Sequence, residues 1–236
     1  MLEINNLTHI YKDGKVGCKN VNIKIEDGDI YGFIGPNGSG KSTTIKSVVG
    51  ILPFTSGEVL INGKSIKNDP LACKKDFAYI PDNPDLYESL TGIQYINFIC
   101  DIFKVSNREE EINKYADIFE IRNDLTKPIK AYSHGMRQKL AIISALVHHP
   151  KLVIMDEPFV GLDPKATFQI KEIMREEAQK GVSFFFSSHV LEVVEKLCNK
   201  IAIIKNGEII KQGIVDDIKG AGSLEDEFME IMKWVK

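Results

Sequence analysis

The sequence predicts an α/β fold in which a parallel sheet is combined with an antiparallel N-terminal β section and an inserted helical section. In the last third of the chain, short apolar runs of strand length alternate with stretches of helical periodicity. The first third is dominated by strand patterns, and the middle section has apolar residues at helical spacing. Because strands that alternate with helices usually pair in parallel, we expect the last third to form a parallel sheet.

The first third contains predicted strands and one predicted hairpin. Residues 21–25 alternate apolar and polar side chains, as a half-buried strand does, and residues 29–34 form a more continuously apolar run. A glycine-rich turn follows, and then a helix-compatible run at 41–50. Residues 58–61 lead into Asn62-Gly63, a dipeptide that favours the type I′ turn of a β-hairpin.

The middle section, 84–147, is predicted to be mainly helical because its apolar residues recur at helical spacing. The elements predicted after it are strands at 152–155, 183–187, 201–204 and 208–210, helices at 164–179 and 224–235, and an Asn-Gly turn at 206–207. We expect a single domain over 1–236, made of an α/β core at 1–83 and 148–215, a helical subdomain at 84–147 and a C-terminal helical tail at 216–236.

Composition places the chain among ordinary globular proteins, with 236 residues, 43% hydrophobic and 27% charged. A net charge of −3 and a pI of about 6.0 argue against a domain whose main task is to grip nucleic acid. The chain has no apolar run of about 18 residues and no signal-peptide pattern, so we expect an intracellular chain that cannot cross a membrane alone. Its four scattered cysteines are predicted to be unpaired packing residues.

A glycine-rich motif follows the apolar run at 29–34 and fits G-x-x-x-x-G-K-[ST] at every fixed position, which predicts a P-loop NTPase core. The glycines let backbone N–H groups turn inward around phosphate oxygens, and the next helix adds partial positive charge. Lys41 would add a full charge against the β- and γ-phosphates, and Ser42 a hydroxyl for Mg²⁺. A turn that binds nothing is the alternative. The predicted nucleotide-binding residues are Gly35, Pro36, Asn37, Gly38, Ser39, Gly40, Lys41, Ser42 and Thr43.

Two carboxylates end the apolar strand at 152–155. Ligands of an open parallel sheet bind beyond the carboxyl ends of its strands, so Asp156 is predicted to hold Mg²⁺. Glu157 is then placed to polarise a water for in-line attack on the γ-phosphate. His189 follows the strand at 183–187, and its imidazole is expected to bind the γ-phosphate and orient that water. The alternatives are a capping or surface role for the carboxylates and a structural role for the histidine.

The segment 132–140, YSHGMRQKL, resembles the signature of the nucleotide-binding subunits of ATP-binding-cassette (ABC) transporters. Ser133 and Gly135 match the family pattern Leu-Ser-Gly-Gly-Gln, whereas the other three positions depart from it. The segment precedes Asp156 at the spacing found in that family. The resemblance covers roughly residues 1–215, which is nearly the whole chain.

This resemblance implies roles for further residues. Asp163 matches the acid of the family's D-loop, and His189 matches its switch histidine. Tyr11 lies where the family often has an aromatic that stacks on adenine, with a surface tyrosine as the alternative. Ser133 and Gly135 would contact the ATP that is bound by a second subunit.

Asp82 follows the apolar strand at 77–80 and stands where the family usually has glutamine. A carboxylate can still reach Mg²⁺ or the attacking water, although it cannot donate the hydrogen bond of an amide. We therefore predict Asp82 as an ATP-site and metal residue. The segment 81–91 resembles that of drug, peptide and bacitracin-type exporter ATPases. The surface that couples to a membrane partner is expected at 82–103.

Taken as a whole, the resemblance implies an Mg²⁺-dependent ATPase whose cofactors are ATP and Mg²⁺. Two copies, or this chain and a homologous ATPase, would sandwich two ATP molecules head to tail. Closing and release of that dimer would power a separate integral membrane permease subunit, in an exporter. We expect the chain in the cytoplasm, held at the inner face of the cell membrane by the permease, with no nucleic-acid partner.

Two alternatives come from other functional classes. The first is an ABC-type ATPase that acts on nucleic acid in repair or translation. A single P-loop, no long heptad run and no basic excess argue against it. The second is a regulatory module that holds ATP without turning it over, and the presence of Glu157 and His189 argues against that module.

Overall fold

The computed structural model describes residues 1–234 and contains two β-sheets with helices packed around them. The strands are β1 (Leu2–Ile10), β2 (Val16–Ile25), β3 (Ile30–Ile34), β4 (Ser56–Ile61), β5 (Lys64–Ser65), β6 (Phe77–Ile80), β7 (Leu152–Asp156), β8 (Ser183–Ser188), β9 (Lys200–Lys205) and β10 (Glu208–Ile214). The α-helices are α1 (Lys41–Val48), α2 (Pro70–Asp76), α3 (Gly92–Phe103), α4 (Arg108–Ile118), α5 (His134–Leu146), α6 (Pro164–Gln179), α7 (Leu191–Leu197), α8 (Val215–Lys219) and α9 (Leu224–Trp234).

The larger sheet has the strand order β10-β9-β3-β8-β7-β6. Strands β9 to β6 are parallel, and β10 pairs antiparallel at one edge, so the predicted parallel sheet is confirmed. Every residue of β3, β7 and β8 is buried, which explains why these strands are continuous apolar runs rather than alternating ones. The carboxyl ends of these three neighbouring strands lie at the same edge, and the segments after them therefore meet there.

The smaller sheet is antiparallel, with the strand order β2-β1-β4-β5. Its predicted hairpin is confirmed, because Asn62 and Gly63 have φ values of 51° and 74° and join β4 to β5. The sequence patterns missed β1. The pairing of β1 with β2 shifts between Ile4 and Leu7, where Asn6 has a φ of 50°, and this irregularity interrupts the alternation that would have revealed the strand.

The predicted helical elements are largely confirmed. Helices α3, α4 and α5 occupy the middle section, and α6 has the predicted bounds of 164–179. Helix α9 begins at the predicted residue, while Val235, at its predicted end, lies outside the described residues. The short helices α2 and α7 were not predicted, since each has only seven residues and too few turns for a periodic signal.

Two hydrophobic clusters form the core. One joins the larger sheet to α3–α7 and the C-terminal helices, and the other fills the space between the two sheets and α1. The cysteines are buried and unpaired, as the sequence predicts: Cys18, Cys73, Cys100 and Cys198. Within residues 1–234, no helix combines the length and the apolar character that crossing a membrane requires.

Candidate active site

The loop between β3 and α1 has a backbone that only glycine accommodates at critical positions. Gly38 and Gly40 adopt φ values of 78° and 108°, in the left-handed region. A Cβ atom on Gly40 would lie 2.3 Å from the carbonyl oxygen of Gly17, and one on Gly35 would lie 2.3 Å from that of Ile204. The glycines of the motif therefore let this loop wrap tightly against its neighbours before α1 begins. A glycine-rich loop that opens a helix is a ready anion cradle.

An open cleft of about 430 Å³ lies over this loop. It brings Tyr11, the P-loop and Glu157 together, although they are distant in sequence. In the connection between β1 and β2, Tyr11 was predicted, whereas Asp13 and Lys15 were not, and the local signal there is the turn glycine Gly14 (φ 83°). The cleft is lined by Tyr11, Asp13, Lys15, Val16, Gly17, Asn37, Gly38, Ser39, Gly40, Lys41, Ser42, Thr43 and Glu157.

Lys41, the first residue of α1, is only 6% exposed. Its Nζ donates hydrogen bonds to the carbonyl oxygens of Gly35 at 2.7 Å and Pro36 at 3.3 Å, and lies 3.8 Å from Glu157 Oε1. Burial lowers the pKa of the Lys41 ammonium, and the carboxylates of Glu157 and Asp156 oppose that shift. A phosphate would offer this desolvated cation a stronger partner than two neutral carbonyls.

The carboxyl ends of β7 and β8 gather three predicted residues. Asp156 ends β7 and is 2% exposed, and its Oδ1 accepts a hydrogen bond from Ser187 Oγ at 2.6 Å. Glu157 is the next residue, and its Oε2 lies 2.9 Å from Nδ1 of His189, just beyond β8. The structure thus places the predicted metal carboxylate, base and histidine at one edge of the sheet. Their chemical roles stay predictions.

This arrangement has the groups that hydrolysis of a phosphoanhydride needs. The Glu157 carboxylate is 15% exposed and borders the cleft, so it can accept a proton from a water there. Ser42, which lines the cleft, and Asp156 both carry side-chain oxygen atoms. Oxygen is the ligand atom that Mg²⁺ prefers, so these two residues fit this ion. The Asp156 carboxylate has remaining lone pairs beyond its bond to Ser187, which a metal-bound water can use.

The signature segment lies outside the lining of this cleft. Ser133 caps α5, accepting a hydrogen bond from the Met136 N–H at 3.3 Å. Asp163 caps α6 by accepting from the Ala166 N–H at 2.8 Å, and this bond lowers the pKa of its carboxyl. Lys139 Nζ lies 3.3 Å from Asp163 Oδ2, so the signature helix and the D-loop are neighbours.

Gly135 stands close to that D-loop as well, because a Cβ atom on it would lie 3.1 Å from the carbonyl oxygen of Gly161. Asp82 is exposed just after β6 and is not among the residues that line the cleft. Ser133, Gly135, Asp163 and Asp82 thus do not line the P-loop cleft of their own chain, and their predicted contacts with ATP remain predictions.

A model of the family described as "ABC transporter" matches residues 18–160. This chain belongs to the ABC transporter family. It is 33% identical to the ABC-type transporter ATP-binding protein EcsA of Bacillus subtilis (strain 168), over 99% of this chain and 97% of the relative. A solved ATP-binding subunit of an ABC transporter superposes with a TM-score of 0.94 at 32% identity, covering 98% of this chain and 99% of the other.

A second solved ABC protein also has a similar fold. The dimeric ATP-binding cassette MJ0796, in a post-hydrolysis state with ADP and Pi, matches with a TM-score of 0.80 at 25% identity, over 91% of this chain and 99% of its own. The predicted α/β fold of an ABC ATPase and the predicted function of an ATP-hydrolysing transporter subunit are confirmed. The nucleic-acid alternative is not favoured.

Proposed function

We propose that this ABC ATPase binds ATP with Mg²⁺, dimerises around two ATP molecules and drives a separate integral membrane permease, in the direction of export. The dimer forms from two copies or from this chain and a homologous ATPase. The permease holds it at the inner face of the cell membrane. The observation that carries the proposal is the meeting of Lys41, Asp156, Glu157 and His189 at one sheet edge beside the P-loop.

Each of these residues has a defined task in the proposal. The P-loop and Lys41 hold the phosphates, while Ser42 and Asp156 are the residues that would hold Mg²⁺, with Asp82 as a further candidate. Mg²⁺ held there would neutralise negative charge on the phosphates. Glu157 accepts the proton of the attacking water, and His189, which already lies 2.9 Å from Glu157, orients that water and the γ-phosphate.

The signature segment supports the dimer. The first turn of α5 presents Ser133 and backbone N–H groups, features suited to an anion, yet it does not border its own chain's cleft. In a head-to-tail dimer, the ATP bound by the second copy would place its phosphates at this turn. The relative MJ0796 is described as dimeric with ADP and Pi, which supports the same arrangement here.

Purification tests this proposal directly. The chain is co-expressed with a candidate integral membrane permease, extracted in mild detergent and assayed for Mg²⁺-dependent ATP hydrolysis. We expect the two proteins to purify together and the ATPase to be present as a pair. A chain that binds no membrane protein and shows its full ATPase activity alone would contradict the permease proposal.

An apolar groove between the sheet and the helical section is the proposed permease surface. We call it the docking groove, and its volume is about 420 Å³. Its walls come from β6, α3 and α5, and Phe103 stacks on His148 along one side, with ring centroids 3.8 Å apart. Ile51 at its rim is 60% exposed, and Tyr87 and Phe98, also exposed, are in edge contact nearby. A segment of the permease with apolar side chains would cover these groups.

Ile51→Asp should therefore separate transport coupling from nucleotide binding. A carboxylate at the rim would be buried without a partner by the docked permease, so we expect recovery of the permease to fall roughly tenfold or more. ATP affinity should stay unchanged, because the groove and the nucleotide cleft share no lining residue. The same substitution at Ile214, 50% exposed on the opposite edge strand, is the control. Equal recovery with both variants would place the permease elsewhere.

Tyr11→Ala should weaken ATP binding if this ring stacks on adenine. The Tyr11 ring lies at the mouth of the cleft, held edge-on to His9 at 4.5 Å, and its hydroxyl is 2.8 Å from Thr43 Oγ1. Losing an aromatic platform costs about 1–3 kcal/mol of stacking free energy. Tyr11→Phe keeps the ring and should bind ATP as the parent does. The comparison is made by titration with a fluorescent ATP analogue, and equal affinities for the alanine and phenylalanine variants would contradict stacking.

A further inference from the structure

One buried hydroxyl links the two acidic residues of the site. Ser187 lies near the end of β8 and is 0% exposed. It stands directly opposite Asp156 in the parallel pairing of β7 with β8. Ser187 Oγ donates to Asp156 Oδ1 at 2.6 Å and accepts from the backbone N–H of Glu157 at 2.9 Å. The direction of both bonds is fixed, because a carboxylate only accepts and an N–H only donates.

Both partners need such a restraint. Glu157 has a φ of 49°, in the left-handed region that side chains other than Gly, Asn and Asp seldom occupy. Backbone strain of this kind persists only where the surroundings fix the conformation. Asp156 is 2% exposed, and Ser187 donates a hydrogen bond to its side chain. Without that bond the carboxylate could rotate away from the cleft.

We propose that Ser187 is a positioning residue for hydrolysis. Its hydroxyl sets the orientation of the Asp156 carboxylate for Mg²⁺ and, through the same oxygen, holds the backbone of Glu157 in the conformation that aims its side chain at the cleft. This inference rests on the proposed roles of Asp156 and Glu157. Ser187 is fully buried and does not line the cleft, so its effect is indirect.

The same strand offers a matched control. Ser183 begins β8 and is also 0% exposed. Its Oγ donates to the carbonyl oxygen of Glu26 at 2.9 Å and accepts from the Gly28 N–H at 3.2 Å. Ser183 and Ser187 thus share strand, burial and hydrogen-bond number, but they lie at opposite ends of the strand. A loss of ATP affinity or Mg²⁺ dependence that both alanine variants share would indicate an effect on general stability. A loss that only Ser187→Ala shows would indicate an effect on the nucleotide site.

The experiment compares Ser187→Ala and Ser183→Ala with the parent chain. ATP affinity is measured with Mg²⁺ and with EDTA, together with the Mg²⁺ concentration that gives half-maximal hydrolysis and the melting temperature. We expect similar melting temperatures for the two variants. Ser187→Ala alone should need roughly tenfold more Mg²⁺ and should lose the Mg²⁺-dependent part of its ATP affinity, since residues behind metal ligands have effects of this size. Affinity in EDTA should match the parent.

Ser187→Cys separates hydrogen bonding from packing, because a thiol fills similar space but is a weak donor and acceptor. We expect it to behave as the alanine variant does. Parent values for the cysteine variant would assign Ser187 a packing role and overturn the proposal, as would equal Mg²⁺ dependence of Ser187→Ala and Ser183→Ala. A parent chain that binds Mg²⁺-ATP but does not hydrolyse it would contradict the proposed function instead, and the binding measurements would still test Ser187.

Discussion

The Glu157→Gln variant is expected to bind ATP but to lose hydrolysis by roughly 100-fold or more, the share of the rate that a positioned general base supplies. The amide has the shape of the carboxylate, but it cannot take the proton of the attacking water. Because binding survives while release through hydrolysis does not, the ATP-bound dimer should accumulate.

The Glu157→Gln substitution also removes a negative charge that lies close to the Lys41 ammonium. Lys41 Nζ lies 3.8 Å from Glu157 Oε1, so the neutral variant removes a competitor for the ammonium and should not lower ATP affinity. Phosphate release and the dimer fraction, by size-exclusion chromatography with light scattering, are the measurements. Glu192→Gln, in the exposed first turn of α7, is the control and should match the parent. Hydrolysis by Glu157→Gln at the parent rate would show that another group is the base.

The Lys41→Ala variant is expected to lose ATP affinity by roughly 10- to 100-fold, which corresponds to the 1.5–3 kcal/mol of a charge-assisted hydrogen bond. Lys41 is 6% exposed and bonded to Gly35 and Pro36, so its ammonium is held at the cradle before any phosphate arrives. Nucleotide binding then replaces carbonyl partners with charged oxygens. Truncation to alanine removes that gain and leaves the loop glycines in place.

Lys46→Ala provides the matched control for this variant. Lys46 lies on the same helix α1, one turn later, and is exposed. Lys46→Ala should bind ATP with the affinity of the parent. If Lys41 acts mainly on the β-phosphate, Lys41→Ala should bind ATP and ADP with the same low affinity. Isothermal titration gives both affinities. An unchanged ATP affinity of Lys41→Ala would show that Lys41 does not contribute to phosphate binding.

Much of the fold follows from local sequence signals. Helix α6 has the predicted bounds because Pro164 begins it, Asp163 caps it and the apolar residues keep a helical period to Gln179. The Asn-Gly turns are equally local, since their positive φ values depend on two residues. Strand β1 was not predicted, because an irregularity at Asn6 interrupts its alternation of apolar and polar residues. The sequence pattern does not indicate where such an irregularity occurs.

The nucleotide site likewise contains residues that the sequence predicts and residues that it does not. The P-loop was predicted from the chain alone because the glycines, Lys41 and Ser42 belong to one contiguous motif, whose spacing suits the phosphate that such a loop binds. The segment from Asp13 to Gly17 was missed, since it reaches the cleft only when β1 and β2 fold over α1. No residue in that segment has a pattern that indicates a nucleotide.

The sequence by itself determined which groups are candidates for the reaction, because Lys41, Asp156, Glu157 and His189 are predicted from motifs, strand ends and the family resemblance. Only the tertiary structure decided how they are held. Ser187 lies 2.6 Å from Asp156 although the two are 31 residues apart, and its contact with both acidic residues depends on β7 and β8 being neighbours in register. Strand order is a property of the whole packed sheet, because each strand gains its place from the apolar surface it buries against all the others.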